Sequence, residues 1–296
     1  MKCIEHITKP PTERPLVTVI TPYYKNSLQE IRQTIQSVAS QRYPRIQYIL
    51  VDDGSPCVAP EEIKRCLSGA PQLEESILLR QPENQGTVKA LNLAYKHAQG
   101  RYIFNLAADD LFADENVLED WVTAFQQTDA QVITGYRVLF DQELKQRLRK
   151  RPKQGDVKII QGGDSRRLYR SLCRKNTILG CCTAYSAQCL QQYGFFDEQY
   201  RIIEDYPRVL ALSRQGARFA FLPREVVHCR TGGISSGAGY SEMYQKDADL
   251  ILKKEILPYV PFPLWAKIQY EYWKIRQRLL KSVGALRKKW KKGTNP

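Results

Sequence analysis

Three pairs of adjacent acidic residues are the part of this sequence best suited to chemistry. They are Asp52-Asp53, Asp109-Asp110 and Glu204-Asp205. The first two pairs each follow a short apolar run of the kind that forms buried strands, ending at Val51 and Leu106. Paired carboxylates can hold a divalent cation, accept hydrogen bonds from a base or a sugar, or take a proton from a hydroxyl group.

Asp109-Asp110 is suited to holding a metal ion. A cation held by carboxylates neutralises the charge that develops when a diphosphate departs. One carboxylate at a strand end can ligate Mg²⁺ or Mn²⁺ and leave other positions for phosphate and water. The alternative is a simple turn, with Asp114 as the N-cap of the helix that follows. Spacing does not decide between these interpretations.

The other two pairs also allow two interpretations each. Asp52-Asp53 precedes Gly54-Ser55 and forms either an Asx turn or a site where a carboxylate accepts the N3–H of uracil or thymine. Glu204-Asp205 is either a helix start, with Asp205 as the cap and Pro207 in the first turn, or the base that deprotonates an attacking hydroxyl. The last two roles are compatible with each other.

The elements that must position these carboxylates alternate between strand and helix. Apolar runs predict strands at 17–20, 48–51, 77–79, 102–106 and 132–133, and helical spacing predicts helices at 31–38, 91–97 and 117–125. Repeated βα units predict a mostly parallel sheet covered on both faces. Ligands bind beyond the carboxyl ends of such strands, where two of the acidic pairs lie.

The charge of the chain indicates a polyanionic neighbour. Of 296 residues, 45 are basic and 31 acidic, which gives a net charge of +14. Nucleic acid, anionic lipid or a phosphorylated substrate would fit this charge. The basic residues cluster at 145–153, at 166–175 and after Trp265, away from the predicted strand ends, and no nucleic-acid module is visible. We therefore expect no nucleic-acid partner, and nucleic-acid binding remains the competing function class.

Cysteine usage and the chain ends bear on location. The eight cysteines are scattered without a C-x-x-C pair, which predicts reduced thiols and argues against a structural zinc site. The first 15 residues lack a secretory signal, so we expect a cytoplasmic protein. No apolar run approaches the roughly 20 residues that span a bilayer.

Residues 259–292 mix aromatic and basic side chains, which predicts either a helix on the anionic inner face of the membrane or one packed on the main domain.

Six motifs follow one another in an order that resembles glycosyltransferase family 2. They are VTVITPYYKN at 17–26, SVASQRYP at 37–44, ILVDDGS at 49–55, NQGTVKALN at 84–92, GRYI at 100–103 and ADD at 108–110. Each motif alone is weak, whereas their joint order is specific. The chain departs from many members at Ala107, where they carry an additional Asp.

The resemblance implies roles for individual residues. Thr21 and Asp53 would contact the base, Asp109 the ribose or sugar, and Asp110 the metal. Asp205, with Glu204, matches the position of the family's base. The remaining implied positions are Pro22, Tyr24 and Lys89 on the donor side, His228 on metal or phosphate, and Arg230 and Ser235 in a loop over the pyrophosphate.

The resemblance also implies an α/β, GT-A Rossmann-like fold and an inverting, metal-dependent hexosyltransferase that uses Mn²⁺ or Mg²⁺. The expected parts are an N-terminal tail at 1–16, a nucleotide-sugar-binding half at 17–140, an acceptor-binding half with the base at 141–240 and a helical C-terminal arm at 241–296. A UDP-sugar is the expected donor, and a glycan or lipid-linked intermediate of bacterial surface polysaccharide is the expected acceptor. A nucleotidyltransferase or an inactive scaffold on the same fold are further alternatives.

Overall fold

The computed structural model describes residues 14–232, 242–260, 268 and 270–272. Ser235 and nearly all of the expected membrane-binding segment 259–292 lie outside the described residues, as does most of the N-terminal tail 1–16. Within the described part of the chain, no helix combines the length and the apolar character that crossing a bilayer requires.

In the described residues, nine strands form one sheet with the order β3-β2-β1-β4-β8-β6-β9-β5, and β7 pairs with β6. The strands are β1 (Val17–Tyr23), β2 (Ile46–Asp52), β3 (Glu75–Arg80), β4 (Tyr102–Asn105), β5 (Leu111–Phe112), β6 (Val132–Phe140), β7 (Arg147–Arg151), β8 (Thr183–Ser186) and β9 (Phe219–Arg230). All five predicted strands are present, which confirms the α/β fold class.

The helices of the described chain lie between these strands or after β9, and they cover both faces of the sheet. They are α1 (Leu28–Ala39), α2 (Pro60–Ser68), α3 (Thr87–Tyr95), α4 (Val117–Gln127), α5 (Gln154–Gln161), α6 (Ser165–Leu172), α7 (Ala187–Tyr193), α8 (Asp205–Arg214) and α9 (Glu242–Ile251). A short 3₁₀ turn at Gly180–Cys182 precedes β8.

Strands β3, β2, β1 and β4 pair parallel with one another. Strand β8 then runs antiparallel between β4 and β6, and β9 pairs parallel with β6. The chain after residue 141 therefore adds strands to the same sheet. Because β1, β2 and β4 are parallel, their carboxyl ends at Tyr23, Asp52 and Asn105 lie at one edge.

Two apolar layers follow from the two-residue period of the strands. In β2, Tyr48 and Leu50 pack with α1, α2 and α4, whereas Ile49 and Val51 pack with α3 and the later helices. Trp121 of α4 is fully buried in the first layer, with its ring centroid 4.8 Å from that of Phe104. These layers fix the strand ends that carry the acidic pairs.

Two predicted helix starts differ from the structure. Helix α4 begins at Val117 with Asn116 at the N-cap position, so the expectation that Asp114 caps this helix is wrong. Asp114 Oδ1 instead accepts a hydrogen bond from the Asn116 N–H at 2.9 Å. Helix α8 begins at Asp205, and Glu204 rather than Asp205 holds its cap position without a side-chain capping bond.

Candidate active site

The 3₁₀ turn at Gly180–Cys182 connects two of the acidic pairs. On one side, Asp205 Oδ2 accepts a hydrogen bond from the Gly180 N–H at 3.0 Å. On the other, Cys181 Sγ lies 3.6 Å from Cys229 Sγ, and the Cys229 thiol donates to Asp110 Oδ2 at 3.2 Å. The expected metal carboxylate and the expected base therefore converge on one short turn.

The side chains of Glu204 and Asp205 lie close to the backbone of Gly180. A Cβ at this position would lie 2.8 Å from Glu204 Oε1 and 3.1 Å from Asp205 Cβ. A side chain at this position would therefore force the Glu204 carboxylate to move and would press on Asp205.

We expect Gly180→Ala to lower turnover by about tenfold to a hundredfold, because a displacement of about 1 Å at a reacting group costs about that much. The matched control is Gly155→Ala in α5, where an added Cβ has nothing within 4 Å. Steady-state kinetics and Tm values of both variants test this expectation. Equal turnover in the two variants would show that the approach of Gly180 to the acidic pair is without consequence.

Glu204 and Asp205 are half-buried, and this environment changes their acidity. Burial raises the pKa of both carboxyls, and the negative charge of Asp205 raises that of Glu204 further. The hydrogen bond from the Gly180 N–H offsets part of the shift at Asp205. A carboxylate with a raised pKa is a stronger base than an ordinary one, which suits proton abstraction.

We expect Glu204→Gln to raise Tm at pH 8, with the gain shrinking as pH falls toward 5. Because the folded Glu204 carboxyl has the higher pKa, the folded state binds more protons than the unfolded state, and stability falls as pH rises between the two pKa values. Glutamine does not ionise, so the variant does not lose stability in this way as pH rises. Thermal melts of this variant from pH 5 to pH 8 are compared with those of Glu61→Gln, a control on the surface of α2. A gain in Tm that does not depend on pH would contradict a raised pKa at Glu204.

Asp109-Asp110 lies in a turn whose backbone is fixed from two sides. The Asp110 N–H donates to Ala107 O at 3.0 Å, and the Thr34 hydroxyl lies 2.9 Å from Asp110 O. Arg230 donates from Nη1 to Asp109 O. The prediction that Asp109-Asp110 forms a turn is therefore correct for the backbone. It does not exclude a metal role, because the buried side chain of Asp110 faces the thiol of Cys229.

Of the two residues predicted to bind a metal, Asp110 belongs to the group that could hold one in the described structure, and His228 does not. Asp110 Oδ2 and the sulfurs of Cys181 and Cys229 lie within 4.8 Å of one another, and His228 is not among this group in the described part of the chain. The His228 ring instead lies 4.8 Å from that of Phe140, and burial lowers its pKa. A role for His228 on metal or phosphate stays a prediction.

Burial also raises the pKa of Asp109, and it raises that of Asp110 well above the ordinary value. Hydrogen bonds from Cys182 and Cys229 hold the pKa of Cys181 well below that of a free thiol. Sequence reasoning missed Cys181 and Cys229, because 48 residues separate them and their spacing carries no metal motif.

Asp53 ties the loop after β3 to the end of β2. Its carboxylate accepts hydrogen bonds from Gln81 Nε2 at 2.9 Å, Asn84 Nδ2 at 2.8 Å, Gln85 N at 2.8 Å and Gly86 N at 2.9 Å. Burial raises its pKa, and the two backbone N–H groups lower it. Since a carboxylate has about four acceptor positions, a base N3–H would have to exchange with one of these donors. Contact with the base stays a prediction.

The other expected donor-side residues lie at different depths. The buried Thr21 hydroxyl accepts a hydrogen bond from the Tyr48 hydroxyl at 3.0 Å. Pro22 is half-buried, whereas Tyr24 and Lys89 are exposed. Their contacts with a nucleotide stay predictions.

A second set of contacts joins the Asp53 loop to the segment before α8. Arg201 Nη2 donates to Asn84 O at 2.9 Å, and Asn84 in turn donates to Asp53. The buried carboxylate of Asp247 in α9 accepts three backbone N–H groups, those of residues 201–203, at 2.7–3.1 Å. Asp247 therefore fixes the backbone immediately before Glu204, a positioning role that the sequence did not indicate.

A groove of about 700 Å³ lies between α1 and the segment 111–116, which follows Asp110 in the chain. Its lining contains none of the residues expected from the sequence to bind donor or metal. The residues that line it are Gln33, Gln36, Ser37, Ser40, Leu111, Phe112, Asp114, Glu115 and Asn116.

Comparison with known proteins places the chain in a family. The model of the family described as "Glycosyl transferase family 2" matches residues 18–194. TuaG of Bacillus subtilis (strain 168), a glycosyltransferase named provisionally for teichuronic acid biosynthesis, is 30% identical over 171 residues, which cover 57% of this chain and 61% of TuaG. An uncharacterized glycosyltransferase of Haemophilus influenzae is 35% identical over 103 residues, 35% of this chain and 40% of that protein. The chain thus spans less than two thirds of either relative.

Solved structures share the fold. The mannosyltransferase PcManGT from Pyrobaculum calidifontis, in complex with GDP-Man and Mn²⁺, superposes with a TM-score of 0.62 at 20% identity, covering 97% of this chain and 78% of that chain. TarS 1–349 of S. aureus, in complex with UDP-GlcNAc, superposes with a TM-score of 0.62 at 19% identity, covering 80% and 66%. At such identities the likeness shows the fold alone.

Proposed function

Because the chain belongs to glycosyl transferase family 2, we propose that it transfers a sugar from a nucleotide-diphosphate sugar to an acceptor hydroxyl with inversion at the anomeric carbon. The observation that carries this proposal is the convergence of Asp110 and Asp205 on the Gly180–Cys182 turn. We assign Asp110 to the diphosphate side of the reaction and Asp205 to the acceptor side.

Asp205 is the proposed base. Its Oδ2 is held by the Gly180 N–H and by Asn176 Nδ2 at 3.2 Å, so Oδ1 is the atom that takes the acceptor proton. The deprotonated oxygen attacks the anomeric carbon from the face opposite the diphosphate. A single displacement of this kind inverts the configuration.

Asp110 is the proposed metal carboxylate. The residues present fit a divalent cation, since a carboxylate oxygen of Asp110 and the sulfurs of Cys181 and Cys229 lie within 4.8 Å of one another. When bound, the cation would neutralise the charge of the departing nucleoside diphosphate. We propose that Arg230 and Lys89 contribute further positive charge toward the diphosphate.

The donor is proposed to be a UDP-sugar, supported by the UDP-GlcNAc complex of TarS, with a GDP-sugar as the competing choice from PcManGT. The acceptor is proposed to be a surface-glycan or lipid-linked intermediate, supported by the naming of TuaG. The exposed basic strand β7 and the net charge of +14 suit an anionic acceptor or membrane surface. Peripheral association with the inner face of the membrane through residues 259–292 stays a prediction.

A thermal-shift screen tests the donor site. Purified protein is melted with UDP, GDP, dTDP and CMP and with their common sugars, each in the presence of Mn²⁺ or EDTA. A ligand that binds only the folded state raises Tm by mass action. We expect metal-dependent stabilisation by one nucleotide series. No shift at millimolar ligand would contradict the proposal and favour an inactive scaffold or nucleic-acid binding.

A further inference from the structure

Strand β7 carries four basic residues, and its pairing with β6 divides them between the two faces of the sheet. Directly paired residues on neighbouring strands point to the same face. The register with β6, which contains one bulge, places Arg147 and Lys150 on one face. Arg149 and Arg151 lie on the other face. The positive charge of β7 therefore consists of two separate pairs.

Only one of these pairs is neutralised within the described part of the chain. Glu225 Oε1 lies 2.5 Å from Arg147 Nη2 and 3.2 Å from Lys150 Nζ. Arg151 donates from Nη1 to the backbone oxygen of Lys150 at 3.4 Å. No carboxylate of the described residues pairs with Arg149 or Arg151. The second face of β7 thus presents two guanidinium charges without a negative partner.

This second face is also the face of the candidate active site. Arg151 pairs in register with Arg137 of β6. Arg137 interacts electrostatically with Asp110 and Cys181, which belong to the centre described above. A row of positive side chains therefore leads from the neighbourhood of Asp110 outward along the sheet to Arg149.

The segment after β7 leads to the proposed base. The Lys153 N–H donates to Asp156 Oδ2 at 3.3 Å, and Lys175 Nζ lies 3.7 Å from the same oxygen. The next residue, Asn176, donates from Nδ2 to Asp205 Oδ2 at 3.2 Å. The chain that follows β7 is thus connected to Asp205 through a short series of polar contacts.

We propose that Arg149 and Arg151 bind an anionic glycan acceptor, one that carries phosphate or carboxylate groups along its chain, and guide it toward Asp205. This inference rests on the proposed function and names the class of its acceptor. Guanidinium groups bind phosphate and carboxylate oxygens in pairs. Two residues of a strand span about 6.6 Å, so the two side chains can contact separate anionic groups of one glycan. Charged side chains on an edge strand disfavour pairing with a further protein strand.

Binding of labelled polymers to the full chain tests this surface without donor or turnover. Fluorescence anisotropy at low salt gives the Kd for polygalacturonate, which carries carboxylates, for phosphomannan, which carries phosphates, and for uncharged dextran. We expect the wild type to bind at least one anionic polymer and not dextran. The polymer that binds identifies the anionic group. R149Q/R151Q should weaken this binding about tenfold, because two charge-assisted contacts are lost.

The matched control is R45Q/R218Q. It removes the same charge from exposed arginines that precede β2 and β9, at the amino ends of these strands. This control should bind the anionic polymer as the wild type does. Unchanged Tm values in R149Q/R151Q are expected, because neither side chain is buried.

Glu225→Gln tests whether position or total charge determines binding. The change leaves Arg147 and Lys150 without their carboxylate on the first face of β7. Added to R149Q/R151Q, it should not restore binding. Restored binding would overturn the assignment to Arg149 and Arg151, since any positive charge on β7 would then suffice.

Equal Kd values for the wild type and R149Q/R151Q would overturn the proposal and leave the basic strand as protection of a sheet edge. Failure of the wild type to bind either anionic polymer, equal binding of dextran, or equal weakening in R45Q/R218Q would also overturn it. So would a loss in R149Q/R151Q confined to phosphatidylglycerol vesicles, which would assign the surface to a membrane. Because no donor is present, these results are independent of the proposed function. Intact polymer binding without transfer to any acceptor would contradict the transferase and leave the glycan-binding surface.

Discussion

Asp205→Asn is expected to lower kcat by about 10²–10⁴-fold, the usual contribution of a positioned general base. The amide keeps the size of the carboxylate and can still accept the Gly180 N–H through its oxygen. It cannot take the acceptor proton. Nucleotide affinity should be unchanged, because the change acts on the acceptor side of the centre. Initial rates at saturating donor and acceptor, with nucleotide Kd from calorimetry, measure the two effects separately.

Asp129→Asn is the matched control for this variant. Asp129 is exposed and pairs with Arg218 on the surface, so the same chemical change there should leave both kcat and Kd unaltered. Retained turnover in Asp205→Asn would remove this residue from the mechanism. A parallel loss of nucleotide affinity would instead indicate that Asp205 supports the donor site.

Asp110→Asn is expected to remove the dependence of donor binding on metal and to lower turnover by about 10²–10³-fold or more, the scale for deleting one electrostatic stabiliser of a leaving group. The variant loses a negative charge from a buried site and keeps an oxygen that the Cys229 thiol can contact. Tm should not fall, because burial already favours the uncharged form of this carboxyl, as its strongly raised pKa indicates.

The measurement is nucleotide-induced Tm shift with added metal and with EDTA, together with initial rates. Asp114→Asn provides a nearby control, since that carboxylate pairs with Arg224 and lies outside the metal group. If Asp110→Asn kept the metal-dependent shift of the wild type, the cation would be held elsewhere, and His228 would become the next residue to replace.

The alternating first half of the fold could be predicted because each element buries its own periodic pattern. Ile31, Ile35 and Val38 of α1 all lie in the core, as their spacing indicates. Beyond Phe140 the elements β7, α5 and α6 contain only five, eight and eight residues, so each spans too few periods for its pattern to be recognised in the sequence. The antiparallel insertion of β8 between β4 and β6 depends on partners distant in sequence, which no local period reveals.

The acidic pairs could be located from the sequence, but the residues that contact them could not. Asp110 and Asp205 meet through Gly180 and Cys181 only because β8 places the 3₁₀ turn between them. Asp247 reaches the segment before α8 from a helix about 45 residues later, at a hydrogen-bond distance of 2.7 Å to the Ile202 N–H. Such tertiary hydrogen bonds leave no trace in composition or spacing.

The most direct test of a sugar-transferring centre is identification of the phosphorus product by ³¹P NMR after incubation with the donor that the thermal-shift screen selects, an acceptor glycan and the preferred metal. We expect nucleoside diphosphate to accumulate with the wild type and to be strongly reduced with Asp205→Asn and with Asp110→Asn. Release of pyrophosphate from a nucleoside triphosphate, with no nucleoside diphosphate formed from any sugar donor, would contradict the account and indicate a nucleotidyltransferase.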